Sequence, residues 1–174
     1  MKSGIDQNFL EFRKAVEVRG TLRPFAAGAP ILRGLRLTGF YLGDNYIKDS
    51  ERERAVFQVT FEHKYISAGY DYIDAHDQTA IAARDVEAKG WSFWLTPKSS
   101  TGWEALIRYD HLKPDTSVDA QVRSRTIIGA AYWFPHQGSV SSALLIDYDG
   151  QTFDNFTPAQ PAQRKIAVHA LVNF

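Results

Sequence analysis

The chain has 174 residues, a formal net charge of +0 and no cysteine. That length suits one ordinary domain with a core, and the charge balance gives no reason to expect nucleic acid or an anionic membrane surface as partner. Without thiols there are no disulfides, thiolate metal sites or thiol redox chemistry, which suits a chain that crosses an oxidising space.

Aromatic residues make up 13% of the chain. Pro falls between apparent segments rather than inside them, which is β-rich composition punctuated by turns. No apolar run approaches the roughly eighteen residues of a transmembrane helix. The opening stretch, MKSGIDQNFLEFRK, lacks an apolar core of signal-peptide length. The expectation is that either the protein is not exported or the numbering begins inside a longer chain.

Alternation with a period of two recurs almost everywhere, and no helical period is sustained. It predicts nine strands with cores at 14–23, 32–42, 53–63, 65–74, 87–96, 102–111, 122–134, 139–149 and 164–174. In ERAVFQVTFEH, Ala55, Phe57, Val59 and Phe61 share one face, opposite Val56, Gln58, Thr60 and Glu62. In ISAGYDYID, Ile66, Ala68, Tyr70 and Tyr72 oppose Ser67, Gly69, Asp71 and Ile73. In WEALIRYDH, Trp103, Ala105, Ile107 and Tyr109 oppose Glu104, Leu106, Arg108 and Asp110. Arg123 and Arg125 share a face with Gly129 and Ala131, away from Thr126, Ile128, Ala130, Tyr132 and Phe134.

These segments run to about ten or eleven residues, longer than the soluble mode of about five or six and near the span a tilted strand needs to cross a bilayer. One face is apolar with aromatic ends: Tyr41, Phe61, Trp91, Trp103, Tyr109, Phe134, Tyr148 and Phe174. Trp and Tyr at strand ends favour a membrane interface over a soluble barrel.

The connections alternate in length. One or two residues near Lys64, then TPKSSTG, then PHQG read as short turns, whereas LGDNYIKDSERE, AHDQTAIAARDV, KPDTSVDAQ and GQTFDNFTPAQPAQR read as long polar loops. PFAAGAPI breaks the pattern, being moderately long on the short-turn side. A tight rim and a looped rim are the asymmetry of outer-membrane barrels. The ninth strand then ends on the tight rim, and the first runs the same way. Bacterial single-chain barrels hold even strand numbers, so the expected architecture is all-β: an antiparallel up-and-down transmembrane barrel. The expectation is that its single domain over 1–174 is the C-terminal part of a larger one; the alternative is that 14–23 is not a strand and the count is even.

Three stretches carry a family likeness: GWSFWLTPKSSTGWEALIRYDHLKPD, RTIIGAAYWFPHQGSVSSALLIDYD and KIAVHALVNF. In order and spacing they resemble the C-terminal portion of the phosphate-selective porin family of Gram-negative bacteria, over about residues 87–174. The resemblance implies a homotrimer of roughly sixteen-stranded barrels, a size that leaves an aqueous channel. It also implies that Val168, Ala170, Val172 and Phe174 form the C-terminal signal read by the outer-membrane assembly machinery. Phosphate as substrate is not carried over, because the family's selectivity draws largely on upstream strands and infolded loops.

On the mixed face, the candidate lumen-lining residues are Arg19, Arg23, Arg36, Glu62, Asp71, Glu104, Arg108, Asp110, Arg123, Arg125 and Asp147. The arginines read either as a basic ladder attracting anions or as partners of Glu17, Glu62, Glu104, Asp110 or Asp147 across strands. An arginine against lipid at the bilayer midplane would cost about 2–4 kcal/mol, which puts this face on the lumen.

His63, His76, His111, His136 and His169 show no metal-ligand spacing, so neither metal nor cofactor is expected. Asp71, Asp74, His76 and Asp77 lack the Gly and terminal Glu of a calcium loop and read as a solvated loop. No GxSxG, HExxH or Gly-rich phosphate loop occurs, and no enzyme is expected.

The leading expectation is an outer-membrane porin-like channel for passive diffusion of small polar or anionic solutes, with membrane lipid around it. The alternatives are a soluble β-barrel that binds an apolar ligand inside and a small non-conducting outer-membrane barrel. The face taken by Phe57, Val59 and Phe61 separates the first two.

Overall fold

A computed structural model of the chain describes residues 15–27, 30–47, 50–79, 84–136 and 138–174. Lys14, the first residue of the first expected strand, lies outside that set, as does the opening stretch before it.

The nine expected strands form one sheet. They are β1 (Val16–Leu22), β2 (Leu35–Ile47), β3 (Ser50–His63), β4 (Ile66–Thr79), β5 (Arg84–Pro97), β6 (Trp103–Lys113), β7 (Val122–Trp133), β8 (Ser141–Asp154) and β9 (Gln163–Asn173). The order is β1 to β9 without a crossover, and every neighbouring pair is antiparallel. β1 and β9 therefore run in the same direction. They do not pair with one another, and the sheet is not closed.

The strands form because each offers the sheet one apolar and one polar set at alternate positions. The register joins like sets. Val59 faces Leu37 and Tyr70, while Gln58 faces Thr38 and Asp71. Ile128 lies between Ile107 and Tyr148. A slip of one residue in any pair would put charge into the apolar row, so the pattern fixes the pairing.

The sheet curls with its apolar set outward. Phe57 is 48% exposed and Ile128 54%. The buried residues of the strand interiors, Thr38, Ser67, Ala75, Ser92 and Ala143, all belong to the opposite, polar set. The core therefore sits on the polar side, the reverse of a soluble barrel.

Two turns on one rim are tight. Lys64 and Tyr65 alone join β3 to β4, and Lys98 N–H donates to Tyr65 O at 2.7 Å. Between β5 and β6, Ser99 N–H donates to Trp103 O at 2.7 Å and Gly102 N–H to Ser99 O at 3.3 Å. Gly102 sits at φ +92°, and a Cβ there would meet Trp133 O at 2.5 Å, so only glycine fits this turn. β1 reaches β2 through a longer connection ending in a single 3₁₀ turn, Leu32–Gly34.

The opposite rim differs from expectation. Of the loops expected over 42–53, 75–86 and 150–164, much is strand: β2 runs to Ile47, β3 starts at Ser50, β4 runs to Thr79, β5 starts at Arg84 and β8 runs to Asp154. The asymmetry thus comes in part from strands that stand beyond the apolar belt. Among the described residues, 114–121 and the shortened 155–162 remain loops as expected; 48–49 and 80–83 lie outside the described residues.

The aromatic rings on the outer face do not follow the hydrogen-bonded rows. The row of Tyr41 passes through Ala55 and Asp74 to Lys89 on β5, yet the ring there is Trp91, two residues nearer the tight rim. The row of Trp91 passes through His111 and Ser124 to Thr152 on β8, yet the ring there is Tyr148, four residues nearer that rim. From β2 to β8 the drift is one residue per strand. A rise of about 3.3 Å for each strand spacing of about 4.8 Å corresponds to a tilt of about 35° between strands and the normal to the ring band.

Candidate functional site on the concave face

The concave face carries a network of side-chain pairs set by the register. Arg54 holds Asp77 with two bonds, Nη2 to Oδ1 at 2.8 Å and to Oδ2 at 2.6 Å. Arg125 holds Asp149 the same way, Nε to Oδ1 at 2.8 Å and Nη2 to Oδ2 at 2.7 Å. Arg52 meets Asp44 at 2.7 Å and Arg36 meets Glu62 at 2.7 Å. Arg108 Nε donates to Asp110 at 2.7 Å, and Ser92 Oγ donates to the same oxygen at 2.5 Å. Gln58 donates to Asp71 at 2.6 Å, and His169 Nε2 lies 2.9 Å from Asp147. Side chains in these ion pairs are partly exposed, so water screens them and each contributes about 0–1 kcal/mol. Their larger effect is on the field: a charge held against its opposite adds little at a distance.

The structure places Arg36, Glu62, Asp71, Glu104, Arg108, Asp110, Arg123, Arg125 and Asp147 on this one face, with Arg19 on β1 and Arg23 just past its end. Of the carboxylates expected as possible partners, Glu62 takes Arg36 across strands, and Asp110 takes Arg108 along one strand. Arg125 takes Asp149, which was not foreseen as its partner. Arg123 reaches Gln151 at 3.3 Å instead of a carboxylate. Among the described residues, Arg19 and Arg23 have no carboxylate partner. The loop reading of 71–77 is corrected: Asp71, Asp74, His76 and Asp77 lie in β4, with Asp71 and Asp77 tied to Gln58 and Arg54.

Besides a small cavity of about 210 Å³ lined by Glu17, Arg19, Thr38, Phe40, Val56 and Gln58, two larger ones open on this face. One of about 750 Å³ lies at the β1 side, lined by Arg19, Thr21, Arg23, Arg36, Thr38, Gln58, Thr60, Phe61, Glu62, Ser67 and Trp94. Its lining holds three arginines and one glutamate. The other, about 380 Å³, lies over β6 to β8, where Leu106, Ile127, Gly129, Ala131 and Leu145 surround Glu104 and Asp147. The lining of the first cavity is thus net basic and that of the second net acidic. Among the described residues no group of three or more His, Asp or Glu side chains is gathered to hold a metal ion.

The C-terminal stretch is the edge strand β9, paired with β8 from Gln151 opposite Gln163 to Ser141 opposite Asn173. Val168, Ala170 and Val172 share the outward face, and Phe174, 96% exposed, follows the last paired residue. Lys165, His169 and Asn173 lie on the concave face with Leu171, which faces Ala143.

Sequence reasoning passed over three contributors: Asp149, the Arg54–Asp77 pair and Trp94. Parity could have found the first, since Asp149 shares a face with Asp147. The other two needed the register. Comparison of the chain with family models, curated proteins and solved structures finds no match.

Proposed function

We propose that this chain is the C-terminal part of an outer-membrane β-barrel that conducts small polar or anionic solutes passively through a water-filled lumen. One observation carries the reading: the large apolar side chains cover the outward face, while the buried side chains belong to the ion-paired, concave one. A soluble ligand-binding barrel needs the opposite arrangement. The drift of the aromatic rings supports it further, because the tilt of about 35° lies at the low end of the range of membrane barrels, about 35–45°.

Strand direction supports a larger barrel. β1 and β9 are parallel, so an antiparallel closure takes an odd number of further strands between them. In lipid the free edges of both strands need partners, since unsatisfied backbone groups are not tolerated there. Likeness to the phosphate-selective porins, with their trimeric assembly and their terminal Phe signal, is part of this proposal.

Planar-bilayer recording on the full polypeptide that contains these strands tests the proposal. Stepwise, ohmic conductance is the expected result. A folded, membrane-inserted protein that leaves the bilayer silent would favour a non-conducting barrel. A chain that stays folded and monomeric in buffer without detergent would favour a soluble one. Among the described residues, Arg19 and Arg23 are the arginines of the larger cavity without a carboxylate partner, so selectivity rests more on them than on Arg125. Arg19→Ala is expected to lower the anion-to-cation permeability ratio measured as a reversal potential, whereas Arg19→Lys leaves it near the native value.

A further inference from the structure

The row through Thr60 crosses the concave face as Arg36, Thr60, Gly69, Trp94 and Arg108 on β2 to β6. Its middle is hollow. Gly69 has no side chain, Thr60 has a short one, and the Nε1–Cε2–Cζ2 edge of Trp94 lies across Gly69 so closely that a Cβ there would collide with the indole. Thr38 and Ser67, each 7% exposed, continue the floor. The indole, laid one strand inward over β4, forms one wall of the 750 Å³ cavity; Arg36, ion-paired with Glu62, and Arg19 and Arg23, without a carboxylate partner among the described residues, form the other. Two strand spacings, about 10 Å, separate Gly69 from Arg36. That gap takes a six-membered ring with a charged substituent.

An aromatic ring in a water-filled lumen needs a reason, because it gives up polar lining. Here it also requires a glycine beneath it. We propose that Trp94 is a stacking platform and that the cavity selects ring-bearing organic anions, the ring against the indole and the anionic group toward Arg19, Arg23 and Arg36. Stacking supplies attraction to a ring face, and the arginine side supplies the charge. The inference rests on the pore reading and names its solute class: aromatic carboxylates and cyclic sugar acids share the chemistry.

The test is calorimetric binding to the full polypeptide in detergent, with benzoate against acetate and glucuronate against open-chain gluconate. The ring member of at least one pair is expected to bind about three- to tenfold more tightly than its partner. Trp94→Leu should abolish that preference and Trp94→Phe retain most of it. Gly69→Ala, which leaves the indole present but pushes it off β4, should weaken the preference too, and it serves if Trp94→Leu does not fold. Preference for benzoate alone assigns aromatic carboxylates, for glucuronate alone sugar acids, and for both the wider class. Equal binding within both pairs, or a ring preference that survives Trp94→Leu and Gly69→Ala in folded protein, overturns the proposal. Bilayer recording separates the two claims: conduction without ring preference removes this one and leaves the pore, and ring binding without conduction does the reverse.

Discussion

The two oxygens of Asp149 are each bonded by Arg125, one by Nε and one by Nη2. Such a pair fixes geometry more than it adds stability, because its side chains remain 38% and 24% exposed and water screens the attraction. A double-mutant cycle on Arg125→Ala and Asp149→Ala, read by urea unfolding in lipid vesicles, should give a coupling of about 1 kcal/mol or less. A coupling of several kcal/mol would mean the pair is far drier than its exposure indicates. That arginines lie on the mixed face was legible from alternation alone, since Arg123 and Arg125 differ by two. Their partners were not. Glu62, opposite Ser67 in the register, reaches Arg36 diagonally, and Asp149 is opposite Ile127, two residues from Arg125's own partner Gln151. Diagonal reach depends on register and rotamer, and neither is written in a single segment. Trp94 was invisible as a site for a related reason: its seat is Gly69, twenty-five positions earlier, and only pairing brings them together.

At the scale of the element, the outward face of each strand has one tolerance and the inward face another. Ile128 and Ile127 are neighbours in β7 with opposite directions. On the proposed membrane reading, Ile128→Arg should destabilise the folded protein by about 2–4 kcal/mol in vesicle unfolding. Ile127→Arg, opposite Asp149 on the concave face, should cost a fraction of that. Equal costs would contradict the assignment of faces. The strands themselves were legible where one side is dry and the other wet: ERAVFQVTFEH alternates because Phe57 and Gln58 meet different surroundings. The extensions over 43–47, 75–79 and 150–154 were not, because Asp44, His76, Asp77 and Gln151 stand where both faces are polar. A strand wet on both sides keeps its backbone pairing and loses its period, so it reads as loop.

At the scale of the molecule, the proposed reading joins two features, an apolar exterior that lipid would cover and parallel edge strands that further strands would pair. The drift of the aromatic rings by one residue per strand, relative to the hydrogen-bonded rows, corresponds to the tilt of a barrel. The native chain has no cysteine, so single cysteines can be placed along one strand without background. In β3 the series Phe57, Gln58, Val59 and Thr60, and in β7 the series Ile127, Ile128, Gly129 and Ala130, each alternate between faces. With the full polypeptide reconstituted in lipid vesicles, a membrane-impermeant, water-soluble thiol reagent should modify Cys at 58, 60, 127 and 129 and spare Cys at 57, 59, 128 and 130. Modification of the second set with protection of the first would contradict a lipid-facing apolar surface around a water-filled lumen.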